Sequence, residues 1–190
     1  ATDAASYYIT FPRLAVRGEL VVEGNPLAVT GQAWMDHEIS SNQLEENQVG
    51  WDWVQMQLFD GTEVMAYRLR RRDGSSDPYS FFNWIDRDTV LTSTRARAGR
   101  FRWIDGGPWT SPKTGATYPV EPRIEVVHPV SGEREFYRIR PFARDQELDG
   151  NLGGIAYWEG AVEILDETGD VIGLGYLELT GYAQDVSERL

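Results

Sequence analysis

The chain has 190 residues, a net charge of −12 at pH 7 and no cysteine. Its acidic charge argues against nucleic acid or an anionic membrane surface as a partner, because both are bound through clustered lysines and arginines. The composition also excludes disulfides and thiolate chemistry, contains no apolar run near the roughly 20 residues that span a bilayer, and includes too few histidines for a histidine-rich metal site. We therefore expect no metal, no other cofactor and no transmembrane segment.

The first third of the chain predicts two hairpins. Alternating apolar residues predict strands over 13–23 and 27–34, joined by a turn at 23–26. A polar connection over 35–50 follows, and strands over 51–59 and 63–71 are joined by Asp60-Gly61, a common hairpin turn. The long polar connection is of the kind that often carries function.

The remaining chain continues as short strands. We predict strands over 79–86, 89–94, 98–103, 118–128, 133–140, 155–165 and 171–182, with 105–115 as a loop and 142–154 as an acidic, glycine-rich connection. About ten strands joined mainly by hairpins favour an antiparallel up-and-down β-barrel over a sandwich, because meander order closes the sheet. The prediction is one all-β barrel domain over residues 1–190.

The segment 31–58 concentrates unusual side chains. It holds Trp34, Trp51 and Trp53 with Asp36 and His37, and we expect it to form about one hairpin. Indoles, carboxylates and an imidazole are costly to bury together without a role, so this is the first place to look for a site. His37 can exchange protons near neutral pH with a neighbouring carboxylate fixing its tautomer, or it can make a structural hydrogen bond.

Period-two geometry sorts the side chains of the strands over 51–59 and 63–69. Trp51, Trp53 and Gln55 share one face and predict a ligand-lining wall of aromatic rings and amides. The alternative is that the tryptophans are core and the glutamines are exposed. On the next strand the face with Arg68 is basic and predicted to be solvated, which directs Met65 and Tyr67 inward.

The last two strands leave two assignments open. Tyr157 and Glu159 share one face of 155–165, and Tyr176 and Glu178 share one face of 171–182. If these faces point inward, two carboxylates lie in a tyrosine-rich cavity, where desolvation raises a carboxyl pKa and suits it to general-acid work. If they point outward, the apolar residues of the opposite faces form the core: Trp158, Val162, Ile164, Leu177 and Leu179.

Six blocks along the chain resemble the AttH and carotenoid hydratase (hydroxyneurosporene synthase) family. They are Gly-Gln-Ala-Trp-Met-Asp-His-Glu at 31–38, Gly-Trp-Asp-Trp at 50–53, Met-Ala-Tyr-Arg-Leu-Arg at 65–70, Trp-Thr-Ser-Pro at 109–112 with Tyr-Pro at 118–119, Tyr-Trp-Glu-Gly at 157–160, and Gly-Tyr-Leu-Glu-Leu-Thr-Gly-Tyr at 175–182. The resemblance implies a lipocalin-like barrel, similar to the C-terminal barrel of a two-barrel protein, with an N-terminal barrel as a possible partner.

The resemblance also implies residue roles. In hydratases that resemble this chain, the His of the Asp-His-Glu block, the following Trp and a Tyr-x-Asp pair are expected to form the site. His37 and Tyr67 match these positions, whereas Ile39 and Leu69 stand where Trp and Asp are expected. Asp36 is a third predicted catalytic residue. A substitute acid would have to be one of four carboxylates: Asp36, Glu38, Asp52 or Glu178.

Three functions follow as alternatives. The first is a module that binds a small apolar molecule such as a polyene, terpenoid or lipid, lined by Trp34, Trp51, Trp53, Gln55, Met65, Tyr157, Tyr176 and Glu178. The second is an enzyme on such a molecule, either a hydratase or a cyclase working by shape and a few hydrogen bonds. The third is a structural half that packs against a partner barrel. The compartment, cytoplasmic or exported, is left open.

Overall fold

The computed structural model describes residues 6–41, 44–45, 47–86, 91–96, 99–148 and 154–185. The chain divides into two compact units, residues 1–43 and 44–190. Over the described residues the regular structure is almost entirely β-strand, and no helix there is long and apolar enough to cross a membrane.

The first unit is one long antiparallel hairpin. Strand β1 (Ser6–Val22) pairs with β2 (Asn25–Ser40) through a turn at Glu23 and Gly24, whose φ angles of 50° and 81° suit the twist of a tight hairpin. The register shifts between Phe11 and Leu14, around Pro12, which has no amide hydrogen to donate. The predicted hairpin is confirmed and extends further at both ends.

The second unit is built on a ten-stranded antiparallel sheet with one short additional sheet. Its strands are β3 (Gln48–Leu58), β4 (Glu63–Arg71), β5 (Phe81–Ile85), β6 (Leu91–Arg95), β7 (Phe101–Ile104), β10 (Arg123–Val127), β11 (Arg134–Pro141), β12 (Glu147–Leu148), β13 (Tyr157–Leu165) and β14 (Val171–Leu179). They follow the order β6-β5-β4-β3-β14-β13-β11-β10-β7, with β12 beside β13. The two short strands β8 (Pro108–Thr110) and β9 (Thr117–Pro119) pair with each other. The prediction of a loop over 105–115 is wrong for β8, and the single strand predicted over 118–128 is divided between β9 and β10.

The sheet curls into a nearly closed barrel around one core. Phe82 on β5 lies 5.9 Å from Phe101 on β7 and 5.7 Å from Tyr137 on β11, measured between ring centroids, although these strands lie far apart in the sheet order. The predicted all-β antiparallel barrel of about ten strands is confirmed. The hairpin expected over 31–58 is wrong, because β2 pairs with β1 whereas β3 pairs with β4 and β14.

The core contains a buried cluster of charges. Asp52 on β3 is fully buried and lies 2.5 Å from Nε of Arg68 and 3.3 Å from Nε of Arg70, both on β4. Tyr182, after β14, donates a hydrogen bond of 2.9 Å to Asp52, and Arg68 reaches Asp105 after β7 at 2.6 Å. Burial alone would lower the pKa of Arg68, but these negative partners raise it. The cluster therefore joins strands and loops from both halves of the sheet.

A second buried carboxylate fixes the loop between β8 and β9. Glu147 on β12 accepts hydrogen bonds from the hydroxyls of Ser111, Thr114 and Tyr118. Desolvation would raise the pKa of Glu147, but the three donors outweigh it and hold that pKa below its ordinary value. The Trp-Thr-Ser-Pro block of the sequence thus has a structural role in this loop.

Breaking the Asp52–Arg68 pair should destabilise the barrel strongly. Asp52→Asn removes the fully buried carboxylate that Arg68 and Arg70 share, which costs about 3–5 kcal/mol of unfolding free energy. Asp105→Asn is the matched control, because the Asp105 side chain is 56% exposed and its pair with Arg68 should be worth no more than about 1 kcal/mol. Urea denaturation measures both, and equal losses for the two variants would contradict this assignment.

Candidate functional site

Aromatic side chains collect on the sheet face opposite the core. On β3 the residues Asp52, Val54, Met56 and Leu58 face the core, so Trp51, Trp53 and Gln55 lie on the other face. On β13 and β14 the apolar set with Trp158 and Leu177 is core, which confirms the outward assignment of their tyrosines and glutamates. We call the outward set the aromatic face: Trp51, Trp53, Tyr67, Tyr157 and Tyr176.

The predicted direction of the β4 side chains is wrong. Val64 and Ala66 belong to the core, and Arg68 on the same face is only 6% exposed because it is bound to Asp52. Met65 and Tyr67 therefore lie on the same side of the sheet as Trp53. They do not line the barrel interior, which is filled by its own side chains.

The strand register places the predicted residues in two rows. One row runs Tyr67, Trp53, Glu178, Glu159 across β4, β3, β14 and β13, each residue directly opposite the next. The second row runs Met65, Gln55, Tyr176 over β4, β3 and β14. Side chains directly opposite across an antiparallel pair have Cβ atoms about 4.5–5.5 Å apart, so each row is continuous. The structure thus brings most of the predicted ligand-binding residues together.

Two glutamates face each other in the first row. Glu159 and Glu178 are directly opposed on β13 and β14, and Trp51 donates a hydrogen bond of 3.2 Å from Nε1 to Glu178. Burial raises the pKa of Glu159 despite hydrogen bonds from Tyr176 and Tyr157 that lower it. Burial and the Glu159 charge also raise the pKa of Tyr176 to about 12. The row therefore contains a carboxyl group that holds its proton above the usual pH range for glutamate.

Gln55 contributes an unused acceptor. Its side chain is 8% exposed, and its Oε1 is buried and accepts no hydrogen bond from the residues described. Buried polar atoms are nearly always paired in native proteins, so an orphan acceptor beside aromatic rings calls for a donor from elsewhere. It lies opposite Met65 and Tyr176, in the middle of the second row.

Asp36 and His37 lie in the hairpin unit. The carboxylate of Asp36 accepts hydrogen bonds from Tyr8 (2.7 Å), Thr10 (2.8 Å) and Nε1 of Trp34 (2.9 Å). The side chain of His37 is exposed and, among the residues described, forms no hydrogen bond or ion pair, so no carboxylate fixes its tautomer there. The roles assigned to His37, Asp36 and Trp34 stay predictions.

The structure narrows the choice of acid. Asp52 is occupied by two guanidinium groups and a phenol, which leaves it a structural role. The sequence indicates Glu159 as an acid only for an inward-pointing face, and it is not among the four substitute acids. Its alternation with Tyr157 marked the face, but its position opposite Glu178 depends on a register that the sequence does not determine. No group of three or more potential metal ligands occurs in the described part of the chain.

The raised pKa of Glu159 has a measurable consequence. Between the unfolded value of 4.5 and the higher folded value, the folded state holds more proton, so the free energy of unfolding falls as pH rises through this range. Glu159→Gln does not titrate and escapes this loss. Its melting temperature relative to the original protein should therefore increase from pH 4 towards neutrality. Thermal unfolding is measured across this range, with Glu163→Gln on the same strand as the control. A difference in melting temperature between Glu159→Gln and the original protein that stays constant with pH would contradict the assignment.

The comparisons with known proteins agree with this fold. A crystal structure of a candidate AttH protein from Nitrosomonas europaea superposes with a TM-score of 0.81 at 35% sequence identity, over 93% of this chain and 52% of that chain. The chain thus spans about half the length of that structure. No curated protein matches the sequence. The sequence profile of the AttH-like family matches residues 1–182, and the chain belongs to this family.

Proposed function

We propose that the barrel unit binds a mostly apolar small molecule with a hydrogen-bond donor, such as a hydroxylated polyene, terpenoid or lipid, on the aromatic face. The observation that carries this proposal is the convergence of five aromatic side chains from four strands on the face opposite the main core. Trp51 and Tyr67 also pack there against a small buried cluster of Leu44 and Leu69. Tyr176 keeps 36% of its surface exposed, and Trp51, Trp53, Tyr67 and Tyr157 are half-buried. Such partly covered rings retain apolar area that a ligand can bury.

The polar groups of the face fit one end of such a ligand. The buried Oε1 of Gln55, in the second row, has no hydrogen-bond donor among the described residues. The carboxyl groups of Glu159 and Glu178 lie in the adjacent first row. A small-molecule site usually combines many aromatic and apolar side chains with a few polar groups. The rings supply affinity, and the polar atoms orient the ligand. A ligand hydroxyl can therefore satisfy Gln55 while the hydrocarbon chain covers the rings.

The binding proposal is tested with two matched ligands. Retinol and the corresponding hydrocarbon without the hydroxyl are titrated while tryptophan fluorescence is followed. We expect the original protein to prefer retinol by about three- to tenfold, the value of one hydrogen bond. Gln55→Leu should abolish this preference, whereas Gln57→Leu on the same face of β3 should keep it. Trp53→Ala should weaken the binding of both ligands.

Absence of quenching by either ligand up to its solubility would refute the binding proposal. A preference for retinol that survives in Gln55→Leu would keep apolar binding but refute the role of the amide. Circular dichroism of each variant separates lost binding from lost folding.

The raised pKa of Glu159 favours catalysis as a second candidate function. A protonated carboxyl can transfer its proton to one carbon of a C=C bond, and the tertiary cation formed is stabilised by the faces of Trp53 and Tyr67. Water then adds to the cation and returns a proton to the carboxylate, so the net reaction is hydration. The catalytic roles predicted for His37 and Asp36 are a separate proposal.

Turnover distinguishes the two candidates. An acyclic polyene with a terminal C=C bond is incubated with the protein, and the product is examined by mass spectrometry for the gain of one water. Glu159→Gln should abolish this gain and His37→Ala or Tyr67→Phe should lower it, while Glu163→Gln should not change it. Undiminished hydration by Glu159→Gln would exclude Glu159 as the acid, and no hydration by the original protein would leave binding alone.

We further infer that residues 1–190 serve as one lipocalin-like domain beside a second barrel of the same protein. The matched structure is about twice as long, which is compatible with a partner domain. The hairpin unit supports this inference, because it is a two-stranded sheet that carries large apolar side chains such as Tyr7, Val21 and Ile39. A two-stranded hairpin is marginally stable in water unless such surfaces are covered.

A further inference from the structure

A groove on the outer surface of β10, β11 and β13 lies apart from the aromatic face. Its volume is about 310 Å³, and its lining includes the side chains of Arg123, Arg138 and Arg140 together with Phe136 and Leu165. Three guanidinium groups in one small groove are notable on a chain with a net charge of −12. We propose that this groove binds an oxyanion, a carboxylate or a phosphate, carried on a small apolar body.

Two of the arginines are placed against each other. Arg123 on β10 and Arg138 on β11 are directly opposed in the strand register. Like charges at this position destabilise a sheet, since their Cβ atoms are about 4.5–5.5 Å apart. Arg138 forms no ion pair with any carboxylate among the residues described, whereas Arg140 is paired with Glu163 at 2.7 Å. An anion between Arg123 and Arg138 would relieve their repulsion.

Arg123 is held in position and keeps a free donor. Its guanidinium lies 5.0 Å from the ring centroid of Phe136, and one terminal nitrogen is 3.2 Å from Glu125. Its Nε is buried and finds no hydrogen-bond partner in the described structure. A guanidinium fixed by a ring and a carboxylate loses little conformational entropy on binding, so the remaining donor is preorganised for an oxygen atom.

The carboxylates of the groove do not neutralise it. Glu121 and Glu167 also line the groove, but Glu121 is engaged by Arg144, which is not part of the lining. Arg123 and Arg140 are paired with Glu125 and Glu163, which do not line the groove. Arg138 is therefore the lining arginine that has no ion pair among the described residues. Phe136, Leu165 and Pro122 supply apolar area next to these charges. This combination suits a charged group on a short hydrocarbon or ring better than a free inorganic ion alone.

The test follows the arginine side chains directly. The ¹⁵N-labelled protein is titrated with inorganic phosphate and, separately, with hexanoate at constant ionic strength and pH 7, and the Nε–H signals of Arg123 and Arg138 are recorded. We expect a saturable shift of both signals with at least one anion. Arg138→Gln should lower the binding affinity for that anion at least tenfold. Arg134→Gln, which removes the same charge from an exposed site on the same strand, should change its affinity less than twofold.

Each outcome decides the proposal. Saturation by hexanoate only identifies a carboxylate ligand, saturation by phosphate only identifies a phosphorylated one, and saturation by both identifies a general oxyanion groove. Linear shifts without saturation for both anions overturn the proposal, as do equal losses in Arg138→Gln and Arg134→Gln. Because Arg138 is exposed and its charge opposes that of Arg123, its replacement should not lower the melting temperature, which is checked in the same samples.

Discussion

The ion pair between Asp52 and Arg68 is the constraint on which the barrel depends. Both residues occupy core-facing positions on neighbouring strands, where an unpaired charge would be very costly. Each compensates the other, and Tyr182 and Asp105 complete their hydrogen bonds from the segments after β14 and β7. The pair therefore does more than neutralise charge, because it ties the middle of the sheet to segments from its other half. It also specifies which face of β4 is inside.

This inside face determines where a site can lie. The core side of the sheet is filled by side chains such as Trp158, Tyr118 and Phe82, all fully buried, and offers no interior lined by the predicted residues. The opposite side carries the aromatic rings, the orphan oxygen of Gln55 and the opposed glutamates. A barrel that uses its interior for stability has only its outer surface for recognition. In this chain the outer surface carries the aromatic rings, Gln55 and the two glutamates, which are not part of the main core.

The sequence predicted the strands better than the faces. Alternation and turn residues such as Asp60-Gly61 located the strands and most of their ends, since both signals are local. The face of β4 was mispredicted because Arg68 looked like a solvated charge, and its partner Asp52 belongs to another strand. Similarly, the position of Glu159 opposite Glu178 depends on the pairing of β13 with β14 residue by residue. Such pairings are set by tertiary structure, which hydrophobic period alone does not encode.

The outer surface of the sheet carries two pairs of like charges at directly opposed positions, which an ordinary solvated surface would not favour. Glu159 with Glu178 and Arg123 with Arg138 each occupy directly opposite positions, where unlike or apolar residues would be more stable. Burial raises the pKa of Glu159, so the glutamate pair can hold a proton in place of its second negative charge. The arginine pair has no such route, because guanidinium groups stay charged at any physiological pH. Glu125 lies 3.2 Å from Arg123, whereas Arg138 forms no ion pair among the described residues, so an anion bound between the two arginines would lower the remaining repulsion. The two pairs are thus complementary in kind, one suited to holding or moving a proton and the other to holding an oxyanion.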